Sequence, residues 1–201
     1  RRDRKIRAAA VGDGVAYIGT GYPDGEPTTE IGHLYAVDPS ISGMQWHVPL
    51  DGPVGRIAVA DDIVVATLGN GVAGFDPESG ETLWTATADA SIRPATLAVA
   101  DGVAVYGTRR TLYGLDVATG TERWSLSFGV RGDVIFVGDV LFAVGRSDPT
   151  SQRILLAAVD AKSGEPRWQQ EIYDPIVDVM AANGYLYTIT SDGRLFAFTS
   201  I

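Results

Sequence analysis

The sequence predicts an all-β fold, a β-propeller of four-stranded antiparallel blades. Three observations carry the prediction. An eleven-residue block ending in tryptophan occurs four times, a tight-turn dipeptide between apolar runs occurs five times, and helical spacing of apolar residues is nowhere sustained. A unit of four short strands cannot bury both of its own faces. Radial stacking of such units covers the faces and protects the edges.

Taken in chain order, each repeat opens with an inner strand. The segments expected nearest the axis are Arg7 to Val11, Arg56 to Ala60, Thr96 to Ala100, Asp133 to Val137 and Asp178 to Ala182. They are mostly Ala, Val and Ile, with Asp133 and Asp178 as charged exceptions. A turn follows each: Asp13-Gly14, Asp61-Asp62, Asp101-Gly102, Gly138-Asp139 and Asn183-Gly184. Asp-Gly and Asn-Gly between apolar runs mark hairpins, because both residues accept the positive φ of a type I′ turn. Second strands come next, at Val15 to Gly19, Ile63 to Thr67, Val103 to Gly107, Val140 to Val144 and Tyr185 to Ile189.

The blocks complete each repeat. They are Ala36-Val-Asp-Pro-Ser-Ile-Ser-Gly-Met-Gln-Trp46, Gly74-Phe-Asp-Pro-Glu-Ser-Gly-Glu-Thr-Leu-Trp84, Gly114-Leu-Asp-Val-Ala-Thr-Gly-Thr-Glu-Arg-Trp124 and Ala158-Val-Asp-Ala-Lys-Ser-Gly-Glu-Pro-Arg-Trp168. The tryptophans fall at intervals of 38, 40 and 44 residues. Asp38, Asp76, Asp116 and Asp160 at position three suit a turn whose backbone N–H groups need an acceptor. Gly80, Gly120 and Gly164 at position seven suit a left-handed residue. The tryptophan opens the outer strand with a flat body for the neighbouring blade and an N–H that needs a carbonyl. The interlocking role is expected above all of Trp84, Trp124 and Trp168. The first copy departs, with Ser42 at the glycine position and Gly43 after it. The last copy, Leu195 to Ile201, carries Thr199 in place of the aspartate. The blades run about 6–49, 55–88, 94–128, 131–172 and 176–201, the fifth with three strands.

Composition narrows the function. There is no cysteine, so disulfide, thiolate-metal and cysteine-nucleophile chemistry are excluded. Sixteen basic against 25 acidic residues give a net charge of −9, which argues against nucleic acid as a partner and against an anionic membrane surface. Acid excess with only Lys5 and Lys162 as lysines fits solubility in high salt, and GC-rich coding skews the same ratio. No apolar run reaches the ~20 residues of a membrane-spanning helix, so no direct membrane insertion is expected. The N-terminus, Arg-Arg-Asp-Arg-Lys-Ile-Arg, lacks the apolar stretch of a signal peptide. The chain opens in mid-pattern, as a processed protein or a piece of a longer one would.

The blocks resemble the tryptophan-docking repeat of the pyrroloquinoline-quinone-like (PQQ-like) propellers. That family includes quinoprotein dehydrogenases, the outer-membrane assembly propeller lipoprotein and many secreted or surface proteins. The resemblance covers nearly the whole chain and implies an extracytoplasmic or cell-surface setting. It also implies seven or eight blades, hence the C-terminal part of a longer propeller. A compact five-bladed ring and two chains completing one ring are the alternatives. For a quinoprotein it further implies a cofactor in the central funnel, a calcium or lanthanide held by acids and amides, and an aspartate base.

The residues themselves do not match that chemistry. No catalytic, metal or cofactor-binding residue is assigned, and no cofactor is expected. The conspicuous aspartates already have turn duties. His33 reads as a solvated strand-start residue and His47 as a blade-edge packing residue, with no orienting acid for nucleophilic catalysis. Asp13, Asp101 and Asp139 lie in turns, where backbone capping is favoured over calcium.

Departures from the repeat point to a surface instead. The second-to-third-strand connection is expanded at Thr20 to Glu30 and at Arg146 to Arg153, on the face opposite the Asp-x-x-x-Gly turns. Loops on a rigid scaffold commonly carry function, so Tyr22, Asp24, Glu30, Arg109, Arg110, Arg146, Asp148 and Arg153 form a candidate contact face. Surface drift explains the insertions equally well. The expected function is a non-catalytic scaffold binding a protein partner, with missing blades or a second copy completing the ring. The alternative is a segment of a quinoprotein-like oxidoreductase, or a ligand-sensing domain fused to an enzyme.

Overall fold

A computed structural model gives the fold. It describes residues 5–21, 32–40, 43–60, 62–69, 71–88, 92, 96–146, 153–173 and 176–199. Among these every regular element is a strand. Blade one comprises β1 (Lys5–Gly12), β2 (Val15–Gly21), β3 (Gly32–Asp38) and β4 (Gly43–Leu50). Blade two comprises β5 (Val54–Ala60), β6 (Ile63–Leu68), β7 (Gly71–Phe75) and β8 (Thr82–Thr87). Blade three comprises β9 (Leu97–Ala100), β10 (Val103–Gly107), β11 (Leu112–Asp116) and β12 (Glu122–Leu126). Blade four comprises β13 (Gly129–Val137), β14 (Val140–Arg146), β15 (Ile154–Asp160) and β16 (Pro166–Ile172). Blade five has three strands: β17 (Ile176–Ala182), β18 (Tyr185–Thr190) and β19 (Leu195–Thr199). Each sheet is an antiparallel meander in sequence order, and the chain is a propeller fold.

The first hairpins close through left-handed pairs: φ is 49° at Asp13 and 79° at Gly14, 49° at Asp101 and 73° at Gly102, and 52° at Asn183 and 77° at Gly184. Inner strands pack in order, β1 on β5, β5 on β9, β9 on β13 and β13 on β17. The core lies between blades rather than within one. Tyr17, Leu34 and Trp46 of blade one bury against Val64, Ala66 and Phe75 of blade two. Ile63, Val65 and Trp84 meet Ala104, Tyr106 and Leu115, and Val103, Val105 and Trp124 meet Leu141, Ala143 and Val159. The fourth interface is smaller, with Phe142 and Leu156 against Leu186 and Phe198.

Two expectations about side-chain surroundings are corrected. His33 is not a solvated strand-start residue: its Nδ1 is buried, and its ring stacks 5.7 Å from Tyr35 and 5.9 Å from His47. These side chains share one face of β3 and β4, where cross-strand neighbours are within ring-stacking reach. Besides Asp133 and Asp178, the inner-strand segments also carry Arg7 and Arg56. Arg56 of β5 pairs with Asp133 of β13 at 3.4 Å, reaching past the inner edge of blade three.

Candidate functional site

The repeated blocks build one socket used three times. In blade two the Asp76 carboxylate accepts from Glu78 N–H at 3.0 Å and from Ser79 N–H at 2.7 Å and Oγ–H at 2.8 Å. Asp116 does the same with Ala118 and Thr119, and Asp160 with Lys162 and Ser163. Asp38 accepts from Ser40 N–H at 2.8 Å and Oγ–H at 2.6 Å. Gly80, Gly120 and Gly164 then turn with φ of 75°, 71° and 74°. Their bare Cα positions form the seat for the previous blade's tryptophan: Trp46 on Gly80, Trp84 on Gly120 and Trp124 on Gly164. The indole N–H of each donates at 2.9 Å to a carbonyl in the same turn, Pro77, Val117 or Ala161. Trp168 differs. It is half-buried and meets Phe142 at 5.7 Å and Phe198 at 5.7 Å.

Arginine reinforces two of the turns, a feature the sequence reading passed over. Arg123 Nη2 donates to Asp116 at 2.6 Å, and Arg167 Nη2 bridges Asp160 at 2.8 Å and Asp139 at 2.5 Å. The Arg167 guanidinium, with the Ser163 backbone N–H, holds the Asp160 carboxyl well below the usual carboxylate range. Arg123, with Thr119, lowers Asp116 in the same sense. The signal was available: arginine stands at block position ten in both copies. These acids are consumed by structure.

At the inner edge, a cavity of about 300 Å³ opens between β13 and β17, lined by Arg131, Asp133, Val144, Ile176, Asp178 and Val179 among others. Its acids do not make a cofactor cradle. Asp133 is paired with Arg56, and the Asp178 carboxylate accepts its neighbour's N–H, from Val179, at 2.9 Å. A quinone-bound hard cation wants six or more oxygens, and two carboxylates with two arginines close by do not supply them. Among the described residues no three acids or histidines converge to hold a metal. The residues present do not fit a quinone and its cation.

The candidate contact face divides. Tyr22, Asp24, Glu30 and Asp148 lie outside the described residues. Arg109 and Arg110 are exposed at the tip of a hairpin held by buried Thr108. Thr108 N–H donates to Thr111 O at 2.8 Å, while its Oγ accepts from Arg110 N–H at 3.2 Å and Thr111 N–H at 3.0 Å. The Arg109 carbonyl lies directly over Gly129, which pairs in register with Arg146. That contact brings the blade-three turn and the end of β14 together. Arg153, exposed just before β15, reaches Glu171 at 3.4 Å. Arg109, Arg110 and Arg153 are exposed, whereas Arg146 is half-buried with its Nε buried.

The family model described as outer membrane protein assembly factor BamB matches residues 4–201. Serine/threonine-protein kinase AfsK of Streptomyces coelicolor is 33% identical over 100 residues, covering 48% of this chain and 12% of the kinase. The chain thus spans only about an eighth of that curated relative's length. Among solved structures, BamB from Moraxella catarrhalis superposes with a TM-score of 0.58 at 18% identity, over 96% of this chain and 71% of that one. A europium-containing methanol dehydrogenase gives 0.68 at 12% identity, over 98% and 53%. Both likenesses speak to the fold. With the block, its sockets and a match running almost from end to end, the chain belongs to the PQQ-like propeller family described by the outer membrane protein assembly factor BamB.

Proposed function

We propose that the chain is a non-catalytic propeller module that binds a protein partner through its arginine-bearing face, in an extracytoplasmic or cell-surface protein. The observation that carries this is the Thr108-clamped turn. A hairpin closed by these hydrogen bonds presents Arg109 and Arg110 to solvent, so little ordering is needed before carboxylates are met. The family's description as an outer-membrane assembly factor supports the setting.

Polyglutamate serves as a probe of acidic partners. Salt-sensitive binding by this −9 protein, lost in an Arg109→Glu/Arg110→Glu variant of unchanged melting temperature, is the expected result. Equal binding by the variant sinks the assignment of this face. Titration with pyrroloquinoline quinone and calcium, read by calorimetry and visible absorbance, is expected to show no saturable signal. Micromolar binding that disappears in Asp133→Ala would favour the oxidoreductase reading.

The likeness to AfsK supports a second reading, a ligand-sensing domain fused to an enzyme. An antibody against this chain, used on the native host, separates the two. A band far above 21.3 kDa that yields kinase peptides supports fusion, and a 21.3 kDa band removes it.

A further inference from the structure

Arginines elsewhere in the chain find acids: Arg56 meets Asp133, Arg123 meets Asp116, Arg153 meets Glu171, Arg167 meets Asp160 and Arg194 meets Asp192. Arg146 does not. It ends β14, is half-buried, and its Nε is sealed from water with no acceptor. Among the described residues no hydrogen bond or ion pair holds its guanidinium. A charged donor taken out of water and left unmatched destabilises the fold that holds it, and an incoming acceptor relieves that penalty.

The backbone places this side chain's Cα beside the blade-three hairpin tip. Gly129 pairs in register with Arg146, and the Arg109 carbonyl and Arg110 nitrogen crowd the position where a Gly129 Cβ would sit. Arg109 and Arg110 are exposed there and add two positive charges. The three arginines differ in what binding draws from them. Exposed charges steer an acidic partner and speed its encounter, whereas a half-buried charge that gains its first acceptor decides how long the partner stays.

We propose that Arg146 is the anchor of the arginine face, taking one carboxylate of a protein partner side-on through its Nε–H and an Nη–H, with Arg109 and Arg110 steering the partner to it. This rests on the reading of that face as a protein-binding surface. The match is geometric: Nε and Nη present two parallel N–H groups to the two oxygens of a planar carboxylate. The ammonium of lysine carries the charge without that fork. Reorientation of Arg146 toward the carboxylate breaks no polar contact of the free chain.

The probe is polyglutamate, with equilibrium binding, association and dissociation measured on the whole chain. Arg146→Lys should weaken binding about tenfold or more through faster dissociation, with the salt dependence of the parent. Arg109→Glu/Arg110→Glu should act chiefly on association. Without polyglutamate, Arg146→Met should melt at or above the temperature of the parent, because an unmatched donor is removed. Asp148→Asn should leave binding unchanged. Arg146→Lys binding as tightly as the parent overturns the proposal, and if Arg109→Glu/Arg110→Glu still loses binding, the reading of the face stands without it. A lower melting temperature in Arg146→Met overturns it too, since the side chain would then be held by the fold. Tighter binding by Asp148→Asn also overturns it, since the chain's own acid would be the occupant. A parent that binds no polyglutamate removes both the anchor and the face.

Discussion

A glycine at φ near +70° does different work depending on what lies where its Cβ would be. Gly14 and Gly120 have φ of 79° and 71°. Nothing lies within 4 Å of a Cβ built on Gly14, whereas one on Gly120 meets the Trp84 ring. Gly14→Ala is therefore expected to cost about 1–2 kcal/mol, the left-handed strain alone. Gly120→Ala adds overpacking of about 1–3 kcal/mol. Urea denaturation of the two variants measures the gap, and equal midpoints would refute the socket. A second residue-scale expectation concerns acid. Asp116, Asp139 and Asp160 are held below their ordinary range, mainly by Arg123 and Arg167. Groups lowered on folding stabilise above the unfolded pKa of about 3.9 and lose that contribution as pH falls through the folded value. Melting temperature should therefore drop below about pH 4. Arg167→Gln should flatten that drop, since Asp139 and Asp160 then titrate nearer their ordinary range. A variant profile parallel to that of the parent would contradict this.

At the scale of the element, the tryptophan and its turn act as one clip between blades. Trp124 is buried and makes its 2.9 Å bond to Ala161 O, whereas Trp168 is half-buried against Phe142 and Phe198. Trp124→Ala is expected to cost about 3–5 kcal/mol, as a buried indole does. Trp168→Ala should cost clearly less. Thermal unfolding of the pair checks the order, and a Trp168→Ala protein destabilised as much as Trp124→Ala would refute it. The spacing of aspartate, glycine and tryptophan was legible because turn chemistry is local. The partner of each indole was not, since the accepting carbonyl lies 31 to 37 residues away.

For the whole molecule, stability accumulates interface by interface, because each blade buries its faces only on its neighbours. Far-UV circular dichroism is expected to show strand with helix well under a quarter, since among the described residues no helix forms. Helix above that share would contradict the fold. The inner ion pair is a different matter. Arg56 and Asp133 are both over 40% exposed, so Arg56→Met should change stability by no more than about 1 kcal/mol. Its interest is electrostatic: it neutralises an acid at the axis.

The sequence by itself determined the strand order, the turns and the four-fold block, because these rest on local rules: positive φ at Asp-Gly, capping by aspartate, alternation on a pleat. It also placed Arg109 and Arg110 in a connection, where they are exposed. What only the tertiary structure decided is which side chains meet across blades. Arg56 finds Asp133 two blades on, His33 stacks with Tyr35 and His47, and Arg109 lies over Gly129 beside Arg146. Such meetings depend on the radial angle between sheets, a sum over many packed side chains that no local pattern encodes.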